Sequence, residues 1–196
     1  LGLSQTAFVK SFEIAVQLGA IAAVAALYWR VLLDFRKLSL IAVAFAPTAA
    51  VGLTLYPFIK SALIGNTAVA LAALGIGGAF LIAFEKWHGA KPQGEPRELT
   101  HKEALLVGLA QAAAVVPGVS RSAATIVGGL ALGINRQAIV EFSFLLAAPT
   151  MAAATALDLY KNAGEFSGAD WGAIGVGFAV SFAVALASIK WLLRYV

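Results

Sequence analysis

The sequence predicts an all-α protein, a polytopic transmembrane helical bundle with a re-entrant helix hairpin that forms half of an inverted-repeat pair. Three observations point there. The chain is 61% hydrophobic and 12% charged, with mean hydropathy +0.88, values that belong to membrane proteins rather than soluble domains. Its apolar residues gather into several uncharged stretches of about twenty residues, the length that crosses a hydrocarbon core of ~30 Å. One stretch, Ala104 to Gly133, is cut by Pro117-Gly118 into halves of about fourteen residues, each too short to span. Two half-helices meeting at a polar tip are tolerated at membrane depth only where protein or a cavity surrounds them.

Residues 1–196 read as a single integral-membrane domain. Phe12 to Leu33 is a first span, closed by Tyr28, Trp29 and Arg30 as an interfacial belt and anchor. The linker Asp34-Phe35-Arg36-Lys37 leads to a second span, Ser39 to Ile59, with Pro47 inside it and Pro57 near its end. A third, Asn66 to Phe84, is rich in small residues, and its Gly75, Gly77 and Gly78 suggest close packing against another helix. Glu85 to Glu103 reads as a polar loop that holds His88 and His101 as solvated side chains, at a spacing that matches no metal site. The hairpin over residues 104–133 follows, then a short loop, Ile134-Asn135-Arg136-Gln137. Spans over Ile139–Leu159, with Pro149 inside, and Trp171–Leu193 complete the chain, separated by the loop Lys161 to Asp170.

The net charge of +4 arises from Lys and Arg in short loops rather than in a tract. That is the pattern of topology and interface anchoring, with no nucleic acid as partner. The same bias places Arg30 to Lys37, Lys86 to Lys102 and Lys190 to Arg194 on the cytoplasmic side, so the hairpin enters from there with its tip toward mid-membrane. The absence of cysteine excludes disulfide and thiolate chemistry. The chain begins Leu1-Gly2-Leu3-Ser4 and stops at Arg194-Tyr195-Val196, directly after an apolar span, and reads as a piece of a longer protein.

The chemistry concentrates at Pro117-Gly118-Val119-Ser120-Arg121-Ser122-Ala123-Ala124-Thr125. An arginine with three hydroxyls at membrane depth is costly and marks a site with an anionic partner. Pro-Gly and then Ser spell a break followed by an N-cap, which places Arg121, Ser122 and Thr125 in a helix's first turns. The arginine fork matches phosphate, and the amides and dipole of a helix start add to it. The candidate catalytic residues are Arg121, Ser120 and Ser122; the substrate-binding set is the same three with Thr125 and Gly118. Gln111, Glu13 and Glu141 are candidate supports, Gln111 for backbone groups exposed at the break and the glutamates by hydrogen bonding to the hairpin. Gly128, Gly129 and Gly133 read as packing contacts.

An internal echo adds to this. Phe12-Glu13-Ile14-Ala15-Val16-Gln17-Leu18-Gly19-Ala20 parallels Val140-Glu141-Phe142-Ser143-Phe144-Leu145-Leu146-Ala147-Ala148, each a lone Glu opening an apolar span that ends near a tyrosine and a basic residue. Two such halves, each with a discontinuous helix pair, would put a site at their interface. A membrane transporter or flippase for an anionic or prenyl-phosphate lipid is the alternative left open, because its architecture uses the same broken helices.

These blocks resemble the undecaprenyl-diphosphate phosphatase family of bacteria, known also for bacitracin resistance. Phe12 to Ala20 with Leu27-Tyr28-Trp29-Arg30 is similar to the family's second conserved span, and Pro117 to Ile126 to its hallmark motif. Glu141 to Pro149 and Ala156-Leu157-Asp158-Leu159-Tyr160-Lys161 match the stretches after it. The resemblance implies hydrolysis of a C55 polyprenyl diphosphate to the monophosphate carrier and inorganic phosphate in the bacterial plasma membrane. With it come a cleft open to the extracytoplasmic side, an inverted repeat and dependence on Mg²⁺ or Ca²⁺. Independently of the resemblance, a homodimer is among the assemblies the chain allows. Arg121 would clamp the diphosphate while Ser120, Ser122 and Thr125 add hydrogen bonds. The family carries glycine where Ala123 stands. Its first motif, two glutamates four apart and then a Ser-Ser-x-Gly-His element, would fall before Leu1, so the expected metal-binding glutamates lie upstream; its final span would fall after Val196.

Overall fold

The computed structural model describes residues 7–63, 66–88, 97–161 and 171–195, all helical or connecting, with no strand among them. In chain order the helices are α1 (Ala7–Leu27), α2 (Trp29–Leu32), α3 (Phe35–Thr54), α4 (Tyr56–Phe58), α5 (Thr67–His88), α6 (His101–Ala112), α7 (Arg121–Ala131), α8 (Arg136–Lys161) and α9 (Trp171–Tyr195). Four of the described helices, α3, α5, α8 and α9, are long and apolar enough to cross a membrane, with a shorter apolar run over Phe12–Leu27 in α1. The protein is therefore a multi-pass helical membrane protein. The loop expected before the last span, residues 162–170, lies outside the described residues, as do 89–96 of the central polar loop.

The chain forms two units, Leu1–Leu33 with Ala147–Val196, and Asp34–Leu146. In the first, α1 packs on α9 through small residues. A side chain at Gly177 would press on the Phe12 ring, and one at Gly19 on the backbone near Phe178. The Ser181 hydroxyl donates to the Val16 carbonyl at 2.6 Å, and Thr155 donates to Gln17 at 3.2 Å. Close approach of backbones through glycine and serine is how helices associate without a hydrophobic drive between them.

The second unit holds the hairpin. Here α6 lies against α3, where a Cβ on Gly108 would collide with the Ala44 carbonyl. The two helices are stitched by Thr48, whose hydroxyl donates to the Gly108 carbonyl at 3.3 Å and accepts from Gln111 Nε2 at 2.9 Å. Gln111 is fully buried. Its amide nitrogen ties α6 to α3. On the other side α7 folds back on α6, with Gly128 facing Ala110.

Several segments that read as linkers are helix starts. Asp34 caps α3, its carboxylate accepting from Arg36 N at 3.0 Å and Lys37 N at 3.4 Å, so the charged stretch after the first span is a helical turn. Asn135 likewise accepts from Gln137 N at 2.9 Å and opens α8 inside the supposed loop. Neither histidine is a free loop side chain. His88 ends α5 and hydrogen-bonds the Leu130 carbonyl at 2.8 Å; His101 begins α6 and meets the Ser39 hydroxyl at 3.0 Å. A Cβ on Gly133 would meet nothing within 4 Å among the described residues; at φ +75° the glycine terminates α7, with Ile134 N bonded to Gly129 O and Gly133 N to Leu130 O, a Schellman ending.

The start of α6 carries a capping box in which Thr100 and Glu103 satisfy each other's backbone amides. Arg97 grips the same carboxylate at 2.6 and 3.0 Å. Chiefly the Arg97 hydrogen bond, helped by those from Thr100, holds the Glu103 carboxyl down to about 2, from an ordinary 4.5. A depressed folded pKa means the contribution is complete above 4.5 and disappears as pH falls toward 2. Thermal stability should therefore fall between those values by more in the parent than in Glu103→Gln; equal losses in melts at stepped pH would refute this.

Candidate functional site

The hairpin tip is built from ordinary backbone rules. After α6 a single 3₁₀ turn, Ala113–Val115, tightens the end of the helix. Val119 N then bonds Val116 O at 3.1 Å, with Pro117 and Gly118 between them and Gly118 at φ +94°. Proline followed by a positive-φ glycine is the signature of a type II turn. A Cβ on Gly118 would also strike the Ala70 carbonyl of α5, so the tip sits directly against that helix's backbone.

Ser120 is the N-cap of α7, extended at φ −70°, ψ 118°, and its hydroxyl accepts from Ala123 N at 3.3 Å. The Ser120 carbonyl accepts from Ala124 N at 2.9 Å. Arg121 and Ser122, as the first two helical residues, keep amides that no turn of the helix can satisfy. Ser122 Oγ lies 3.3 Å from Ser120 Oγ, and both serines are exposed. Arg121 is half-buried, and its Nη1 is fully buried with no hydrogen-bond partner among the described residues. A desolvated guanidinium nitrogen left unpaired is costly, and it is a donor that an anion could satisfy.

Thr125 lies behind this surface, wholly buried. Its hydroxyl stands 2.6 Å from Ser143 Oγ, 2.9 Å from the Ser122 carbonyl and 3.2 Å from that of Arg121. Glu13 and Glu141 are both exposed, and neither lies in the first turn of its helix. Among the described residues no hydrogen bond joins Glu141 to the hairpin; the hydroxyl two residues further on, Ser143, does so instead. Ser143 escaped sequence reasoning although a signal was there. It shares the buried stripe Ile139, Phe142 and Leu146, where a hydroxyl must find a partner.

Two cavities flank α7. One, of about 440 Å³, runs from Gly118 and Ser120 along Ala124 and Gly128 to Gly77 and Leu74 of α5, with almost wholly apolar walls. The other, of about 450 Å³, is bounded by Ser122, Ile126 and the ion pair of Arg136 with Glu85, 2.8 Å apart. An open apolar groove between α1 and α9 contains, among the described residues, only Ser181 as a hydroxyl, and that is bonded to Val16. Among the described residues no three His, Cys, Asp or Glu side chains stand close enough to hold a metal ion, so they do not by themselves form a Mg²⁺ or Ca²⁺ site.

Fold and site together define a class: polytopic helical membrane proteins with a broken helix pair whose tip carries a half-buried arginine at a helix start. The whole chain, residues 1–196, matches the sequence model described as bacitracin resistance protein BacA, and the chain belongs to that family. Its relatives include proteins named undecaprenyl-diphosphatase. That of Aquifex aeolicus is 46% identical over 198 residues, covering 100% of this chain and 77% of the relative. That of Thermus thermophilus is 43% identical, covering 100% and 76%, and that of Novosphingobium aromaticivorans 47% identical, covering 94% and 74%.

Proposed function

We propose that the tip between α6 and α7 holds the diphosphate of undecaprenyl diphosphate, with Arg121 as its clamp. The chain is an undecaprenyl-diphosphatase: it releases inorganic phosphate, leaving undecaprenyl phosphate, and so recycles the lipid carrier of cell-wall synthesis. The observation that supports the site is the unpaired, buried Nη1 of Arg121 beside the unsatisfied amides of a helix start. Phosphoryl transfer is mainly a matter of positioning and charge neutralisation, and that is what these groups can supply. Ser120 and Ser122 add hydroxyls at the mouth, and Gly118 allows the backbone to turn there. Among the described residues neither serine hydroxyl is bonded to a His, Asp or Glu, so they act in this reading as ligands rather than activated nucleophiles.

The cavity beside Ser120 gives the chain a path. Its apolar walls suit the isoprene units nearest the diphosphate, while the remainder lies in lipid along α5, a helix with no buried residue. Gly77 lines this cavity, and among the described residues a Cβ there meets nothing within 4 Å. Gly77→Leu should therefore fold normally, raise KM for undecaprenyl diphosphate by about tenfold, and leave inhibition by chain-free pyrophosphate unchanged. Equal effects on both would remove the cavity from the binding path.

One guanidinium neutralises only part of a diphosphate's charge, and dependence on Mg²⁺ or Ca²⁺ belongs to the proposal for that reason. The bacterial plasma membrane, with the cleft facing outward, is the proposed setting. The deciding experiment is phosphate release from undecaprenyl diphosphate by the full-length protein in detergent, with and without chelator. Release that chelation stops and either cation restores is expected; a folded protein that binds the lipid diphosphate and releases nothing would overturn the enzyme reading. In sealed right-side-out vesicles, added substrate should be hydrolysed without permeabilisation, and latency there would reverse the orientation.

A further inference from the structure

Ser143 of α8 is 4% exposed, in a helix face otherwise made of apolar side chains, and its hydroxyl lies 2.6 Å from that of Thr125, which is wholly buried on α7. Thr125 has one proton. With that proton directed to the Ser122 carbonyl at 2.9 Å or the Arg121 carbonyl at 3.2 Å, Ser143 must donate to Thr125. Those two carbonyls belong to the first turn of α7, the turn from which the Arg121 guanidinium projects. One turn further along, Gly129 packs on Ile139 of α8, so an apolar contact holds the two helices together without help from Ser143. The hydroxyl pair adds something else: it fixes the angular setting of the first turn. Hydrogen bonds in a dry interior are directional and leave little slack.

From this we propose that Ser143 is a positioning residue of the phosphate site, acting through Thr125, which bonds the Ser122 or Arg121 carbonyl, to set the first turn of α7 and thereby aim the Arg121 guanidinium. The inference rests on the reading of Arg121 as the diphosphate clamp. Without the Ser143 hydroxyl, α7 stays packed but its first turn can rotate, and the clamp meets the phosphate in the right pose less often. Catalysis is sensitive to such misalignment even where binding energy and fold survive.

The test uses the full-length protein in detergent and compares parent, Ser143→Ala, Ser143→Thr, Thr125→Val, the double variant Ser143→Ala with Thr125→Val, and Arg121→Ala. Phosphate release from undecaprenyl diphosphate, inhibition by inorganic phosphate and thermal unfolding are read for each. Ser143→Ala is expected to lower kcat/KM about tenfold and weaken phosphate inhibition by a similar factor, with an unfolding temperature close to the parent's. Ser143→Thr, which keeps the hydroxyl, should recover most of the loss, and the double variant should be no worse than Thr125→Val alone. If Arg121→Ala is inactive while Ser143→Ala stays within twofold of the parent, the positioning role is wrong and the clamp stands. Loss of activity and unfolding temperature together, unrescued by Ser143→Thr, would reduce Ser143 to packing. Substantial activity in Arg121→Ala would instead overturn the clamp beneath the proposal.

Discussion

Arg121→Ala should lower kcat/KM for undecaprenyl diphosphate by about a thousandfold or more and leave thermal stability unchanged or slightly raised. The two halves of that expectation come from the same atom. Nη1 is buried and has no partner among the described residues, so the guanidinium meets its desolvation cost without a compensating bond when the site is empty. Removing it relieves the protein and disarms the site. A structural arginine behaves in the opposite way, because truncating one member of a buried pair strands the other and destabilises the fold. Ser120 still caps α7 in the variant, since that bond runs from Ala123 N to the serine hydroxyl and owes nothing to residue 121. Arg121→Lys should recover little, because an ammonium keeps the charge but lacks the planar fork that meets two phosphate oxygens at once. Activity within tenfold of the parent, or an unfolding temperature several degrees lower, would sink the clamp.

Much of the hairpin was legible because its signals are local. Pro117, Gly118 and Ser120 each restrict or cap the backbone within a few residues, so break, turn and helix start could be read in order, and the structure puts the N-cap on Ser120 and the helix start on Arg121. Spans were legible from hydropathy, but their ends were not. Asp34 and Asn135 are polar and sit between apolar runs, so composition assigned them to loops; geometry makes them caps, and each helix begins as soon as its cap is in place. Hydropathy registers a charge, whereas a cap depends on where a side-chain oxygen points. Partners distant in sequence were beyond reach altogether. Gln111 is visible near the break, but nothing local points to Thr48, a partner 63 residues away. The Arg136–Glu85 pair joins α8 to α5 across 51 residues for the same reason. At Glu141 the charge is the conspicuous feature of the sequence, although the hydroxyl of Ser143 is the group that reaches the hairpin.

Gly118→Ala should be the most damaging single-methyl change in the hairpin, and three glycines together show why. At Gly118 two penalties coincide: φ is +94°, and the new Cβ would run into the Ala70 carbonyl, which is backbone and cannot swing aside. Among the described residues Gly133 has the first penalty alone, with φ +75° and no atom within 4 Å of an added Cβ, and Gly78 on α5 has neither. Left-handed backbone costs an alanine about 1–2 kcal/mol, while glycine to alanine in an unobstructed helix gains roughly 0.5–1 kcal/mol. Gly78→Ala should therefore be neutral or stabilising, Gly133→Ala mildly destabilising, and Gly118→Ala destabilising by about 3 kcal/mol or more, because a collision is added to the strain. The protein can escape the Gly118 collision only by lifting the tip off α5, which carries Ser120 and Arg121 with it, so phosphate release should fall alongside stability. At Gly133 the helix end is disturbed far from the tip, and activity should persist. Unfolding temperature and phosphate release for the three variants separate these cases. Should Gly118→Ala resemble Gly133→Ala in both, strain alone governs the turn, and the contact with Ala70 is not what holds the tip in place.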